Sequence, residues 1–181
     1  MFGPETITAL VAGTVGIVLA IIVVLALDLL WPPLLRREFT VELPLEKAWQ
    51  HLARVEQWPS WAKHIKQVEM QPPGELGLGS TGRMVLTNGL KPAWKVTEFD
   101  PYRNWKWVGG FLWLTVYYDH RFEALSPMQT KITFWLEAKG FGKSVFGRLF
   151  ARIYSRTLDR AIAALVQELN ASRSQQAGLG L

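Results

Sequence analysis

The run ITALVAGTVGIVLAIIVVLALDLL, residues 7–30, constrains this chain more than any other stretch. Residues 7–27 carry no charge and consist mainly of Ile, Val, Leu and Ala. At about 1.5 Å per residue, a helix of that length spans a hydrocarbon core of roughly 30 Å. A helix buried in a soluble core would show a polar stripe, whereas only Thr8 and Thr14 interrupt this apolar surface. A transmembrane helix over residues 7–31 follows, with residues 1–6 as a short tail. Glu5 is the only charged side chain before it, while Arg36, Arg37, Lys47 and Arg54 follow it. The positive-inside rule therefore puts the amino terminus outside and the rest of the chain in the cytoplasm. A cleaved signal peptide would need a basic start and a small-residue cleavage site. Here Trp31, Pro32 and Pro33 follow instead. Trp31 suits the interfacial aromatic belt, and Asp28 reads as an interfacial acid within reach of Arg36.

Beyond a linker at residues 32–37, the remainder is long enough for one domain, residues 38–170, followed by a small, polar tail at 171–181 that is expected to be disordered. The absence of cysteine excludes disulfides and thiolate chemistry. Twenty Lys and Arg against 15 Asp and Glu give a net charge of +5, with every basic residue at or after Arg36. Beside a bilayer, that bias points to anionic headgroups. No basic cluster forms a nucleic-acid motif, so the expected partners are the lipid bilayer and a hydrophobic ligand. Nothing in the sequence points to a particular protein partner.

Alternation of polar and apolar residues predicts a strand at 37–43, and helical spacing of Ala48, Trp49, Leu52 and Val55 predicts a helix that ends at Trp58-Pro59-Ser60-Trp61 before a short second one. Strands follow at 65–70, 81–87, 94–99, 105–108, 112–124 and 131–139, separated by turn residues such as Asn88-Gly89 and Asp100-Pro101. Gly109 and Gly110 are expected to bulge and curve the sheet. A last helix spans 143–170. Its apolar residues Phe146, Leu149, Phe150, Ile153, Leu158, Ile162, Leu165 and Leu169 are expected to cover the open face.

This order is the helix-grip layout, an α+β fold. Residues 38–170 resemble the SRPBCC or START-like superfamily of polyketide cyclases, dehydrases and lipid-transfer proteins. The likeness rests on Val41-Glu42-Leu43-Pro44-Leu45-Glu46-Lys47-Ala48-Trp49, on Trp58-Pro59-Ser60-Trp61, on residues 79–82 and 94–101, and on His120-Arg121-Phe122-Glu123 before Thr130-Lys131-Ile132-Thr133. The resemblance implies an apolar cavity between curved sheet and long helix, suited to lipids, isoprenoids, steroids or polyketides. The added apolar helix departs from the usual soluble member.

Strand alternation turns Trp105 and Trp107 to one face, and likewise Leu114, Val116, Tyr118, His120 and Phe122. With Met84, Leu86, Trp94, Val96, Phe134, Phe150 and Ile153, these form the expected ligand-binding surface. The other reading of the nine tryptophans is a cup filled by its own side chains. His120 and Tyr118 are the candidate acid–base pair of a cyclase- or dehydrase-type enzyme, the alternative to a binding and transfer protein. Asp119 should face away from the cup and cannot orient that ring. His51 and His64 share no ligand spacing with His120, and phosphate-loop, nucleophile-elbow and zinc-helix motifs are absent, so neither metal nor cofactor is expected. Arg148, Arg152, Arg156 and Arg160 step by four along the last helix. With Trp31, Arg36 and Arg37, they are the expected membrane-surface contacts.

Overall fold

The computed structural model describes residues 3–30 and 34–178. Pro4–Leu30 form one helix, α1, with no side chain buried in the protein. Among the described residues it is the one helix long and apolar enough to cross a membrane. Thr8 and Thr14 donate hydrogen bonds to the carbonyls of Pro4 (3.0 Å) and Leu10 (2.9 Å), which satisfies these two hydroxyls within the helix. Trp31 lies outside the described residues.

The domain follows as β1 (Leu35–Val41), α2 (Leu45–Ala53), a 3-10 turn (Val55–Ser60), β2 (Ile65–Gln71), β3 (Thr81–Leu86), β4 (Ala93–Asp100), β5 (Asn104–Phe111), β6 (Leu114–Ser126) and β7 (Gln129–Lys139). A π-helical turn (Lys143–Gly147) then leads into α3 (Arg148–Gly178). The strands form one antiparallel sheet in the order β1-β7-β6-β5-β4-β3-β2. Since β1 pairs with β7, α2 and the 3-10 turn carry the chain from one edge of the sheet to the other. The fold is the expected helix-grip arrangement.

Some boundaries and faces differ from expectation. Because β1 starts at Leu35, Arg36 and Arg37 are strand residues and not linker. The helix continues through residues expected to form a disordered tail, as far as Gly178. Gly109 and Gly110 keep regular partners in β6, Val116 and Thr115. The register shifts lie elsewhere, between Ile65 and Gln67, between Val96 and Glu98 and between Ala124 and Ser126. In α3, Leu158, Ala161, Leu165 and Leu169 are buried at three- and four-residue steps. Leu149 and Ile153 are 54% and 66% exposed and do not cover the sheet, because Phe146, Phe150 and Tyr154 pack against the core instead.

Gly82 shows why a small residue stands in β3. It pairs with Trp94, and a Cβ there would come within 2.3 Å of both the Glu69 carbonyl oxygen and the Trp94 ring. The indole occupies the space a side chain would need.

The end of α1 is tied to the domain by Asp28. Its carboxylate accepts hydrogen bonds from the backbone N–H groups of Gly142 (2.7 Å) and Ser144 (2.8 Å). The pairing expected with Arg36 does not form. That guanidinium pairs with Glu38 and lies over the Trp135 ring, 5.2 Å from its centroid. Asp28 satisfies amide donors that a helix start leaves unpaired, and Gly142 reaches the required geometry with φ at 76°.

Candidate functional site: an aromatic cup

The inward face of the sheet divides into two zones. Its base is closed. Trp94 and Val96 of β4, Trp105 and Trp107 of β5, Leu114, Val116, His120 and Phe122 of β6, and Phe134 of β7 are all buried. Register sets Trp105 opposite His120, and His120 opposite Phe134. Both short helical segments add tryptophans to this layer. Trp49 packs on Trp105 (4.8 Å) and Phe122 (5.1 Å), and Trp58 on Trp107 (5.0 Å) and Trp61 (5.2 Å). The Trp58 Nε1–H donates to the Leu52 carbonyl at 2.8 Å, which locks the 3-10 turn to the end of α2. These contacts are the tilted and edge-on geometries that aromatic quadrupoles favour.

His120 sits inside that layer. It stacks on Trp105 with centroids 5.0 Å apart and an interplanar angle of 17°, and meets Trp107 and Phe134 edge-on at 5.0 and 4.8 Å. Burial pushes it down to about 3, against a smaller upward pull from the backbone of Trp105 and Tyr118. The ring is therefore neutral at physiological pH, and Nδ1 has no hydrogen-bond partner. Asp119 does face the other side of the sheet, where its carboxylate accepts from Arg121 at 2.7 Å.

The second zone is the mouth. Met84 and Leu86 of β3, Phe111 of β5, Tyr118 of β6 and Phe150 and Tyr154 of α3 pack against the core but stay only partly buried. Phe150 stacks on Tyr154 at 5.6 Å and lies 4.6 Å from Phe111, while Tyr154 meets Tyr118 edge-on at 6.4 Å and His64 at 6.2 Å. Burial raises both phenols, Tyr154 to about 12 and Tyr118 further, so each stays protonated and offers an O–H donor. Burial likewise lowers His64. The mouth is an apolar surface with a few polar handles, the usual composition of a small-molecule site.

Of the expected lining, Met84, Leu86, Tyr118 and Phe150 are the residues that stay only partly buried against the core. Trp94, Val96, Trp105, Trp107, Leu114, Val116, His120, Phe122 and Phe134 belong to the closed base, and Ile153 points away from both. His120 and Tyr118 are two residues apart on the same face but in different zones. Phe111, Tyr154 and His64 were not expected at the mouth. A signal for Tyr154 exists, since Phe146, Phe150 and Tyr154 step by four along the helix.

The expected membrane-surface residues also separate. Arg148, Arg152, Arg156 and Arg160 are exposed along α3. Arg37 is held by Asp159 of α3 at 2.6 Å, and its guanidinium is raised by that hydrogen bond. Among the described residues, no group of three His, Cys, Asp or Glu is arranged to hold a metal ion.

A curved seven-stranded antiparallel sheet grips a long carboxyl-terminal helix around an apolar interior, which defines a helix-grip protein. Residues 33–170 match the family described as polyketide cyclase / dehydrase and lipid transport, and the chain belongs to that family. A search of curated proteins finds no match. Solved structures with the same fold include protein jhp0584 from Helicobacter pylori, 18% identical over 74% of this chain and 86% of that one, with a TM-score of 0.61. Protein Ms6760 from Mycobacterium smegmatis is 18% identical over 76% and 90%, with a TM-score of 0.55. The di-domain ARO/CYC protein BexL from the BE-7585A biosynthetic pathway is 15% identical over 76% of this chain and 46% of that one, with a TM-score of 0.61. At such identities the likeness concerns the fold alone.

Proposed function

We propose that the protein is a single-pass membrane protein whose domain, residues 38–170, holds an apolar small molecule or lipid at the mouth of its cup, on the cytoplasmic side. The observation that carries this reading is the group Met84, Leu86, Phe111, Tyr118, Phe150 and Tyr154, which faces inward and packs against the core yet remains partly exposed. A cup wholly filled by its own tryptophans would bury these side chains as it buries Trp105. Family membership supports an apolar ligand, and α1 supports a ligand that partitions into membranes. The positive-inside bias supports the orientation.

Binding is favoured over catalysis. Acid–base work needs a group that titrates near neutrality and touches the substrate. His120 stays neutral beneath Trp105 and Trp107, while Tyr118 stays protonated and supplies only a hydrogen bond.

The test is a fluorescence titration of the full chain in nanodiscs with a pyrene-labelled fatty acid. Energy transfer from the tryptophans should saturate at one probe per chain and be lost in Met84→Trp, which fills the mouth. Non-saturable transfer, or transfer unaffected by Met84→Trp, contradicts the reading.

A further inference from the structure

A second apolar surface lies outside the cup, at the end of the sheet that α1 meets. Phe111 pairs with Leu114 and Thr115 with Lys139, so the β5–β6 hairpin tip and residues 140–142 leave the same end of the sheet. Leu112 and Trp113 at that tip are 67% and 56% exposed, and Phe141 is exposed as well. Val145 of the π-helical turn and Leu149 and Ile153 of α3 continue the surface, all exposed and spaced by four. Trp113 ties the parts together. Its Nε1–H donates to the Phe141 carbonyl at 2.9 Å, and its ring meets Phe146 edge-on at 4.8 Å.

Three observations narrow what covers it. Gly142 and Ser144, the neighbours of Phe141 and Val145, donate to the Asp28 carboxylate at 2.7 and 2.8 Å. Asp28 directly follows the uncharged run of the helix that fits a bilayer, so the surface begins at the depth where that helix leaves the hydrocarbon. Leu112 has φ at 55°, the left-handed region that a turn normally fills with Gly or Asn. A strained position that points a leucine outward has no use in water. Finally, the Trp113 N–H is already satisfied, so its ring enters apolar surroundings without stranding a donor. The leaflet around α1 is continuous with this surface, whereas a protein partner would have to displace lipid to reach it.

We propose that Leu112, Trp113, Phe141, Val145, Leu149 and Ile153 are seated in the headgroup–acyl boundary of the leaflet in which α1 ends, at a depth set by the Asp28 hydrogen bonds. Phe111 and Phe150 of the mouth adjoin Leu112 and Leu149 in the chain, so the same seating brings the mouth close to the leaflet. This surface rests on the single-pass reading of α1 and does not depend on the ligand proposed for the cup.

Depth-dependent fluorescence quenching of the full chain in phosphatidylcholine vesicles tests it. The sequence has no cysteine, so a single introduced thiol carries an NBD label. Leu112→Cys and Leu149→Cys are compared with Leu125→Cys, which is 49% exposed near the opposite end of β6. The strand puts that reference roughly 35–40 Å from the hairpin tip, at about 3.3 Å per residue. Labels at 112 and 149 should be quenched most by a lipid nitroxide about 5–10 Å below the headgroups, while the label at 125 stays unquenched. Met84→Trp should leave that pattern unchanged. Quenching no stronger at 112 and 149 than at 125 overturns the proposal, and if the chain still resists carbonate extraction the single-pass reading survives. Release of the chain by carbonate would overturn both. Blue-shifted labels at 112 and 149 that lipid nitroxides do not reach would show the surface covered by a second copy or a protein partner, which also overturns it. So would loss of quenching in Met84→Trp, which would trace the contact to a ligand in the cup.

Discussion

The base and the mouth of the cup are built from the same strands with the same alternation, yet they end in different physical states. At the base, Trp49, Trp58, Trp94, Trp105 and Trp107 interlock until Trp105 has no exposed surface. At the mouth, Met84, Leu86 and Tyr118 take equivalent inward positions but remain partly open. The difference comes from what each zone packs against. The base is closed by α2, the 3-10 turn and the residue that caps it, which contribute Trp49, Trp58 and Trp61, whereas the mouth meets the first turns of α3 and His64. Bulk at the base gives stability, and the partly exposed mouth is where the proposed ligand would sit.

Substitutions that probe each zone should separate those two roles. The largest loss is expected for Trp105→Ala, which removes a fully buried indole from the base. Thermal unfolding in detergent should report a cost of about 3–5 kcal/mol, and a small cost would mean that the base is not tightly packed.

Acid should weaken the base next. His120 titrates at about 3 when folded, against an ordinary 6.5 when unfolded. Between these values the unfolded chain binds more protons, so stability is full above about pH 6.5 and falls as pH drops towards 3. The slope contributed is at most about 1.4 kcal/mol per pH unit. His120→Phe should flatten that part of the profile. An unchanged acid limb would mean that the ring is solvated and belongs with the mouth. Burial lowers His51 and His64 as well, which adds to the limb in the same direction.

A smaller loss of about 1–3 kcal/mol is expected for Gly82→Ala, whose new Cβ would displace the Trp94 ring or the β2 backbone. The same methyl would cost little if that corner were loose. At the mouth, where Met84 is only partly buried, Met84→Trp should cost less than about 1.5 kcal/mol if the proposed site is open, while it abolishes ligand binding. Large destabilisation there would show that the mouth is packed as tightly as the base.

The fold was legible in the sequence because alternation at Trp105–Trp107 and from Leu114 to Phe122 fixes which face turns inward, and the spacing of Leu158, Leu165 and Leu169 fixes the covering helix. The division between base and mouth was not. Periodicity says which side a residue faces but not how much volume the opposite layer supplies, so Trp107 and Met84 read alike. Ile153 failed for a related reason. An apolar residue on a helix reads as core, whereas here it shares the exposed surface with Leu149 and the arginines. Charge alone makes Asp28 a partner for Arg36. Its backbone amide partners at Gly142 and Ser144 are distant in sequence and carry no signature.

The most direct test of the cup as a ligand site is mass spectrometry of what copurifies with the full chain when it is extracted from host membranes in detergent. The account predicts one apolar molecule per chain for the native sequence and none for Met84→Trp, with both proteins equally folded. An identical complement of bound molecules in the two, or none in either, would contradict it.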